Sequence, residues 1–168
     1  MTAFTDLLEG SVSTLRLLSY PGSSNISLGS KEDLLCCTPH TDSGLLTLLH
    51  QDEVGGLEVL NAAGEWIPAP YVPGSIVVNI GDLMAQMSGR QFVATFHRVH
   101  SSGKNRYSVP FFCEPGVDAM VGEEGKEMRY EEFVLRKMSM WVEFQDVEEG
   151  RGLLGGDREE LGIVEVGA

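Results

Sequence analysis

Short runs rich in Val, Ile, Leu, Phe and Tyr, separated by turn-forming segments, recur along most of this chain. The intervening segments, such as "PGSSN", "HTDSG" and "DEVGG", are rich in glycine and small polar residues that favour turns. The pattern predicts strands at residues 14–20, 34–39, 45–50, 57–61, 65–67, 75–80, 92–100 and 106–114. Many short strands, spaced by roughly 8–12 residues, indicate an all-β sandwich or barrel.

Helical patterns are few. Residues 82–89 predict a short helix that ends at Gly89. Residues 129–144 place their apolar side chains at a helical period, which predicts a longer helix packed against the outside of the β core. Glycine and glutamate dominate from Gln145 onwards. We therefore expect one domain over residues 1–145, followed by an acidic, weakly ordered tail over residues 146–168.

The charge and the cysteines restrict the class of protein. The 168-residue chain has a net charge of -13, which argues against nucleic acid and against anionic membranes as partners. No apolar run has the length of a transmembrane helix, and the first residues lack the pattern of a signal peptide. The odd set Cys36, Cys37 and Cys113 contains no C-x-x-C and predicts buried free thiols in a reducing, cytoplasmic compartment.

Two polar residues interrupt the apolar stretch "LLCCTPHTDSGLLTLL". In an extended segment, residues i and i+2 face the same side, so His40 and Asp42 can converge on one point. A single H-x-D is weak evidence by itself. It fits a capping or hydrogen-bonding pair in a turn as well as two ligands of a metal.

A second polar cluster lies in "ATFHRVHSSGKNRYSVPFF". Alternation along a strand points His97 and His100 in opposite directions, so that only one of them can face a barrel interior. Arg106 and Ser108 share a face beyond the next turn. An inward guanidinium is costly unless it meets an anion, and arginine is suited to a bidentate contact with a carboxylate.

Two histidines and an aspartate together form a three-ligand face. Such a set with open positions is typical of non-haem Fe(II) oxygenases, although zinc uses similar ligands. The Arg106 and Ser108 pair distinguishes the two, because it predicts a site for an organic acid co-substrate.

With these motifs in place, the sequence resembles the 2-oxoglutarate- and Fe(II)-dependent oxygenases of the isopenicillin N synthase-like superfamily. The resemblance covers about residues 15–115 and continues more weakly through residues 129–144. It rests on "LRLLSYP", "PHTDSGLLTLLHQDEVGGLEVLN", "GEWIPAPYVPGSIVVNIGDLMAQMSGRQFVATFHRV" and "NRYSVPFF", in that order. The resemblance implies a mainly β fold, a double-stranded β-helix or cupin-like jelly-roll barrel.

The resemblance also implies a role for each site residue. The implied iron ligands are His40, Asp42 and His97, since in this family the distal ligand is the histidine directly before Arg-Val. The implied co-substrate residues are Arg106 and Ser108, which match the R-x-S pair that holds the distal carboxylate of 2-oxoglutarate, and Tyr20, which matches a tyrosine before proline. Many relatives carry Asn where this chain has Leu18.

The implied reaction couples oxidative decarboxylation of 2-oxoglutarate to hydroxylation or desaturation of a small organic substrate. Its implied cofactors are Fe(II), 2-oxoglutarate and dioxygen, and ascorbate is a further candidate. Three alternatives stay open: an Fe(II) oxidase of the same family that does not use 2-oxoglutarate, a truncated non-catalytic barrel, and a zinc hydrolase. Family members usually have a long N-terminal region that shapes the substrate pocket, so we expect a missing region or a partner to complete it.

Other polar residues are given structural roles. Asn79 and Asp82 are expected to hold a turn through hydrogen bonds to backbone, with a pocket-facing Asn79 as the alternative. His100 is expected on the solvent side of its strand, and Arg98 is expected to face outward as a structural residue.

Overall fold

The computed structural model describes residues 5–22 and 35–139. A 3-10 turn at Asp6–Leu8 precedes the strands and helices. In chain order these are β1 (Thr14–Leu15), β2 (Leu18–Tyr20), β3 (Leu35–His40), β4 (Leu46–Gln51), β5 (Leu57–Leu60), β6 (Trp66–Pro68), β7 (Val77–Ile80), α1 (Asp82–Met87), β8 (His97–His100), β9 (Arg106–Cys113), β10 (Met120–Val121), β11 (Met128–Arg129) and α2 (Tyr130–Met138).

The described residues form two compact units. Residues 12–22 and 35–114 form one unit, which holds all the predicted site residues, and residues 5–11 with 115–139 form the other. In the second unit, β10 pairs antiparallel with β11, and α2 buries Tyr130 and Phe133. The single domain over residues 1–145 stays a prediction, and the predicted tail over residues 146–168 lies outside the described residues.

Two antiparallel sheets build the first unit. In the first sheet the order is β1-β9-β4-β7, and β2 also pairs with β9. In the second sheet the order is β3-β8-β5-β6. Strands that are distant in sequence thus become neighbours, as when β3 lies beside β8. The mainly β prediction is confirmed.

Three predicted elements differ in detail. The strand predicted at residues 14–20 divides into β1 and β2. The strand predicted at residues 92–100 begins only at His97, because the residues before it form the return from α1. In that return Arg90 has a φ of 64°, and the Phe92 amide donates to the Ser88 hydroxyl. The longer helix is confirmed as far as Met138, and residues 140–144 of the prediction lie outside the described residues.

The cysteines are free, but the prediction that all are buried is wrong. Cys36 is exposed, whereas Cys37 and Cys113 are half-buried. Neighbouring residues of a strand face opposite sides, so β3 turns Cys37 toward the inside and Cys36 outward. No helix within the described ranges is long and apolar enough to cross a membrane.

Candidate metal centre and anion site

Three predicted ligands meet where β3 ends and β8 begins. His40 and His97 lie directly opposite each other in the second sheet, with their ring centroids 4.2 Å apart. Asp42 Oδ1 lies 3.8 Å from His40 Nε2 and 3.7 Å from His97 Nε2. His100 points away, as alternation predicts, with its Nε2 3.1 Å from Glu58 Oε2. The structure therefore brings His97, and not His100, to the H-x-D pair.

Backbone carbonyls orient both imidazole rings. His40 Nδ1 lies 2.8 Å from the Thr38 carbonyl, and His97 Nδ1 lies 3.1 Å from the Thr95 carbonyl. A carbonyl only accepts, so each Nδ1 carries the hydrogen, and in the neutral ring Nε2 presents a lone pair. The Nε2 to Asp42 Oδ1 distances exceed those of a hydrogen bond. All three ligand atoms lie within 4.8 Å of one another, which fits a divalent cation bound between them.

The other carboxylate oxygen of Asp42 is held by two side chains of the first sheet. Thr47 Oγ1 donates to Asp42 Oδ2, and Asn79 Nδ2 donates to the same oxygen at 2.7 Å. Oδ1 is thereby left to face the imidazoles. The alternative of an inward Asn79 is thus the one that the structure shows. The role of Thr47 was not predicted, and the only signal for it is that it is the one polar residue in "LLTLL".

The start of α1 fixes the loop that carries Asp42. Its N-terminal amides bond back to the loop, with Gly81 N–H to the Leu45 carbonyl at 3.0 Å and Leu83 N–H to the Ser43 carbonyl at 3.2 Å. A Cβ at position 81 would lie 2.1 Å from the Gly44 carbonyl oxygen, so only glycine permits this approach.

Asp82 takes part in the same contact in two ways. Its amide donates to the Asp42 carbonyl at 2.8 Å, and its carboxylate accepts from Thr41 Oγ1 at 3.0 Å. The expected bond from the Asp82 side chain to the backbone of its own turn stays a prediction, whereas the contact with Thr41 links that side chain to the ligand loop.

The electrostatic surroundings keep Asp42 ionised. Burial acts to raise the pKa of Asp42, but the nearby His97 ring and the hydrogen bonds from Thr47 and Asn79 outweigh it, so the pKa lies below its ordinary value. A carboxylate that stays charged at neutral pH is ready to bind a cation.

Thr47→Val is expected to weaken metal binding roughly tenfold, because Asp42 loses a partner that orients it while the volume of the side chain is kept. Thr47→Ser keeps the hydroxyl and should bind close to the wild-type level. Titration with Co(II) measures both dissociation constants. Equal affinities for Thr47→Val and the wild type would contradict the expected role of Thr47.

Metal affinity is also expected to fall as the pH is lowered through the pKa of His40. Burial lowers that pKa, but hydrogen bonds with Cys37 Sγ and the Thr38 carbonyl help to outweigh it, so it lies above the ordinary 6.5. The protonated ring cannot ligate, and protons therefore compete with the metal on the acid side of that value. Co(II) titrations between about pH 8 and about pH 6 check this, and an affinity that does not change would contradict it.

An arginine is buried in the same unit without a carboxylate partner. Arg106 is 3% exposed, and no described carboxylate lies within 4.0 Å of its guanidinium. Its Nε donates to the Gly55 carbonyl at 2.7 Å, and its Nη1 donates to Ser108 Oγ at 3.3 Å. The buried Nη2 has no hydrogen-bond partner among the described residues. A desolvated cation with an unused donor is the signature of an anion site.

Tyr20 completes the surroundings of this guanidinium. Tyr20 lies directly opposite Arg106 in the pairing of β2 with β9, and the guanidinium carbon lies 5.1 Å from its ring centroid. Burial, more than the opposing effect of Arg106, sets the pKa of Tyr20 above its ordinary value, so the phenol is neutral. Leu18 lies opposite Ser108, so β2 places an apolar side chain beside that residue.

Fold and site together define a class: a two-sheet β barrel with a His-Asp-His metal face and a buried arginine. The sequence profile of the 2OG-Fe(II) oxygenase superfamily matches residues 12–115. The chain belongs to this superfamily.

Curated relatives support this assignment. The 2-oxoglutarate-Fe(II) type oxidoreductase hxnY of Emericella nidulans is 43% identical over 124 residues, which are 68% of this chain and 33% of that protein. A homoarginine-6-hydroxylase of Glycine max is 44% identical over 110 residues, which are 64% of this chain and 33% of that protein. The chain thus spans about a third of the length of these relatives.

Solved structures share the fold. A full-length Neurospora crassa protein, crystallised with alpha-KG, superposes with a TM-score of 0.74 at 27% identity, over 81% of this chain and 47% of that chain. The same protein with alpha-KG and thymine gives a TM-score of 0.75 at 27% identity, over 82% of this chain and 46% of that chain. The predicted jelly-roll barrel is confirmed.

Proposed function

We propose that this chain carries the catalytic barrel of a 2-oxoglutarate- and Fe(II)-dependent dioxygenase that acts on a small organic substrate. The observation that carries the proposal is the buried Arg106, whose charge has no counter-ion among the described residues, in the same pair of sheets as an open His-Asp-His face. An organic diacid that reaches both sites satisfies both.

Each residue has a defined task in this proposal. His40, Asp42 and His97 hold Fe(II) through two Nε2 atoms and one carboxylate oxygen. Arg106 and Ser108 bind the distal carboxylate of 2-oxoglutarate, with Tyr20 beside the guanidinium. Iron, when bound with 2-oxoglutarate and dioxygen, supplies the oxidation that hydroxylates or desaturates the substrate. The protein contributes ligand geometry, co-substrate orientation and exclusion of water.

The proposal also covers the kind of substrate and the cellular location of the protein. A small-molecule substrate is supported by the Neurospora crassa protein, which was crystallised with thymine and alpha-KG. A cytoplasmic location is supported by the free thiols of Cys36, Cys37 and Cys113, because such thiols persist in a reducing compartment.

One second function is favoured by a specific relative. The 1-aminocyclopropane-1-carboxylate oxidase of Dictyostelium discoideum is 45% identical over 84 residues, 48% of this chain and 23% of that protein. Because this relative is named an oxidase, it supports the alternative function, an Fe(II) oxidase of the same family that does not consume 2-oxoglutarate.

Anaerobic addition of Fe(II) and then 2-oxoglutarate tests the proposal. The chelate is expected to show a weak visible charge-transfer band, and admission of dioxygen should release succinate. Iron binding without succinate above background would overturn the proposal in favour of the oxidase. Absence of metal binding would leave the non-catalytic barrel.

A further inference from the structure

The loop between β4 and β5 is joined to strand β9 beside the buried arginine. The Asp52 amide donates to the Tyr107 carbonyl at 3.2 Å, and the Asp52 carboxylate accepts the Tyr107 amide at 2.6 Å. The other oxygen of that carboxylate accepts the Val54 amide at 3.1 Å. Asp52 therefore fixes the loop to the residue next to Arg106.

The far end of the loop contains two glycines with left-handed backbone. Gly55 has a φ of 74° and Gly56 a φ of 89°, values that residues other than glycine rarely adopt. The His100 amide donates to the Gly56 carbonyl at 2.8 Å, and a Cβ on Gly56 would lie 2.5 Å from the His100 carbonyl oxygen. The loop is thus held between β9 at Asp52 and β8 at Gly56.

This anchored loop presents one backbone carbonyl to the arginine. The Gly55 carbonyl accepts Arg106 Nε at 2.7 Å. The acceptor is neutral, and both oxygens of the nearby Asp52 carboxylate are engaged by amides. The contact therefore orients the guanidinium without neutralising its charge. Orientation through Nε leaves Nη2, and the Nη1 hydrogen that is not donated to Ser108, for an anion.

We propose that residues 52–56 are the positioning element for Arg106, with the Gly55 carbonyl setting the plane of the guanidinium and Asp52 as the positioning residue that holds the loop. The identity of the anion as 2-oxoglutarate rests on the proposed function. The orientation of Arg106 by the loop does not, since the contact between Arg106 Nε and the Gly55 carbonyl is made within the chain itself.

The chain offers matched controls in the turn between β5 and β6. Asn61 Oδ1 accepts the amides of Ala63 and Glu65, both at 2.9 Å, so Asn61→Ala loses two side-chain to amide bonds as Asp52→Ala does. Gly64 has a φ of 78° and, like Gly55, open space at its Cβ position. Gly64→Ala therefore carries the same backbone strain as Gly55→Ala without touching Arg106.

The test measures hydrogen exchange of the Arg106 Nε–H by NMR in the metal-free protein, and the dissociation constant of 2-oxoglutarate in the anaerobic Fe(II) protein. Asp52→Ala and Gly55→Ala should speed the exchange and weaken 2-oxoglutarate binding roughly tenfold, about the effect of one lost hydrogen bond. Iron affinity should stay unchanged. Asn61→Ala and Gly64→Ala should leave all three quantities at their wild-type values.

Exchange rates in the loop variants equal to those of their controls would overturn the inference, as would equal losses in all four variants. Failure of the wild-type protein to bind 2-oxoglutarate would instead overturn the proposed function, and the exchange rates would still decide whether the loop positions Arg106. Thermal unfolding of the four variants verifies that each pair is compared at similar stability.

Discussion

His97→Ala is expected to abolish binding of divalent metal, with a dissociation constant raised by more than the roughly 10–100-fold that loss of an outer partner causes. His97 supplies one of only three protein ligands among the described residues, and its Nε2 lies 3.7 Å from Asp42 Oδ1. Its removal leaves a two-ligand set that cannot enclose the ion. Titration with Co(II), followed by visible absorption, measures the loss.

His100→Ala is the matched control for this experiment. The two histidines lie at opposite ends of β8, so both changes perturb the same strand. His100 faces Glu58, with which it forms a contact of 3.1 Å, and it lies on the other side of the strand from Asp42. The control should bind Co(II) with wild-type affinity, and an equal loss in both variants would contradict the assignment of His97 as the ligand.

Arg106→Leu is expected to weaken 2-oxoglutarate binding by at least about 100-fold while metal affinity is retained, since two charge-assisted hydrogen bonds of roughly 1.5–3 kcal/mol each would be lost. The substitution removes the buried cation and the donors at Nη1 and Nη2. Arg106→Lys keeps a charge without the planar guanidinium, so its affinity for 2-oxoglutarate should lie between those of the wild type and Arg106→Leu. Calorimetric titration of the anaerobic Fe(II) protein with 2-oxoglutarate measures the three affinities.

Arg98→Leu provides the corresponding control. Arg98 also has its Nε engaged, at 2.8 Å from Glu58 Oε2, but it already pairs with that carboxylate and stacks on Trp66 at 4.2 Å from the ring centroid. Its loss should leave 2-oxoglutarate affinity unchanged. If Arg98→Leu weakened binding as much as Arg106→Leu, the effect would be one of total charge and the anion site would not be at Arg106.

Much of the barrel could be predicted because strand formation depends on local pattern and turn chemistry. The strands at residues 45–50, 57–61 and 106–114 have bounds close to those of β4, β5 and β9. The error at residues 92–96 has a clear cause, because an apolar run looks the same whether it pairs in a sheet or returns from a helix. Ser88 and Arg90 decide that question through contacts and a φ angle that composition does not reveal.

The partners of the ligands were harder to predict than the ligands. Thr47 and Asn79 reach Asp42 only because β4 and β7 are adjacent strands, with Thr47 directly opposite Asn79. Nothing in the spacing of these residues along the chain shows that they meet at one carboxylate oxygen.

By itself the sequence determined which residues carry polar or ionisable groups, and it determined which residues of one strand face opposite sides, because alternation along a strand is a local property. The opposite directions of His97 and His100 follow from that rule alone. The tertiary structure decided which residues meet. It set β3 beside β8 so that His40 lies opposite His97, and it buried Arg106 against a backbone carbonyl instead of a carboxylate. These pairings depend on long-range packing of two sheets, and that packing leaves the charge of Arg106 without a counter-ion among the described residues.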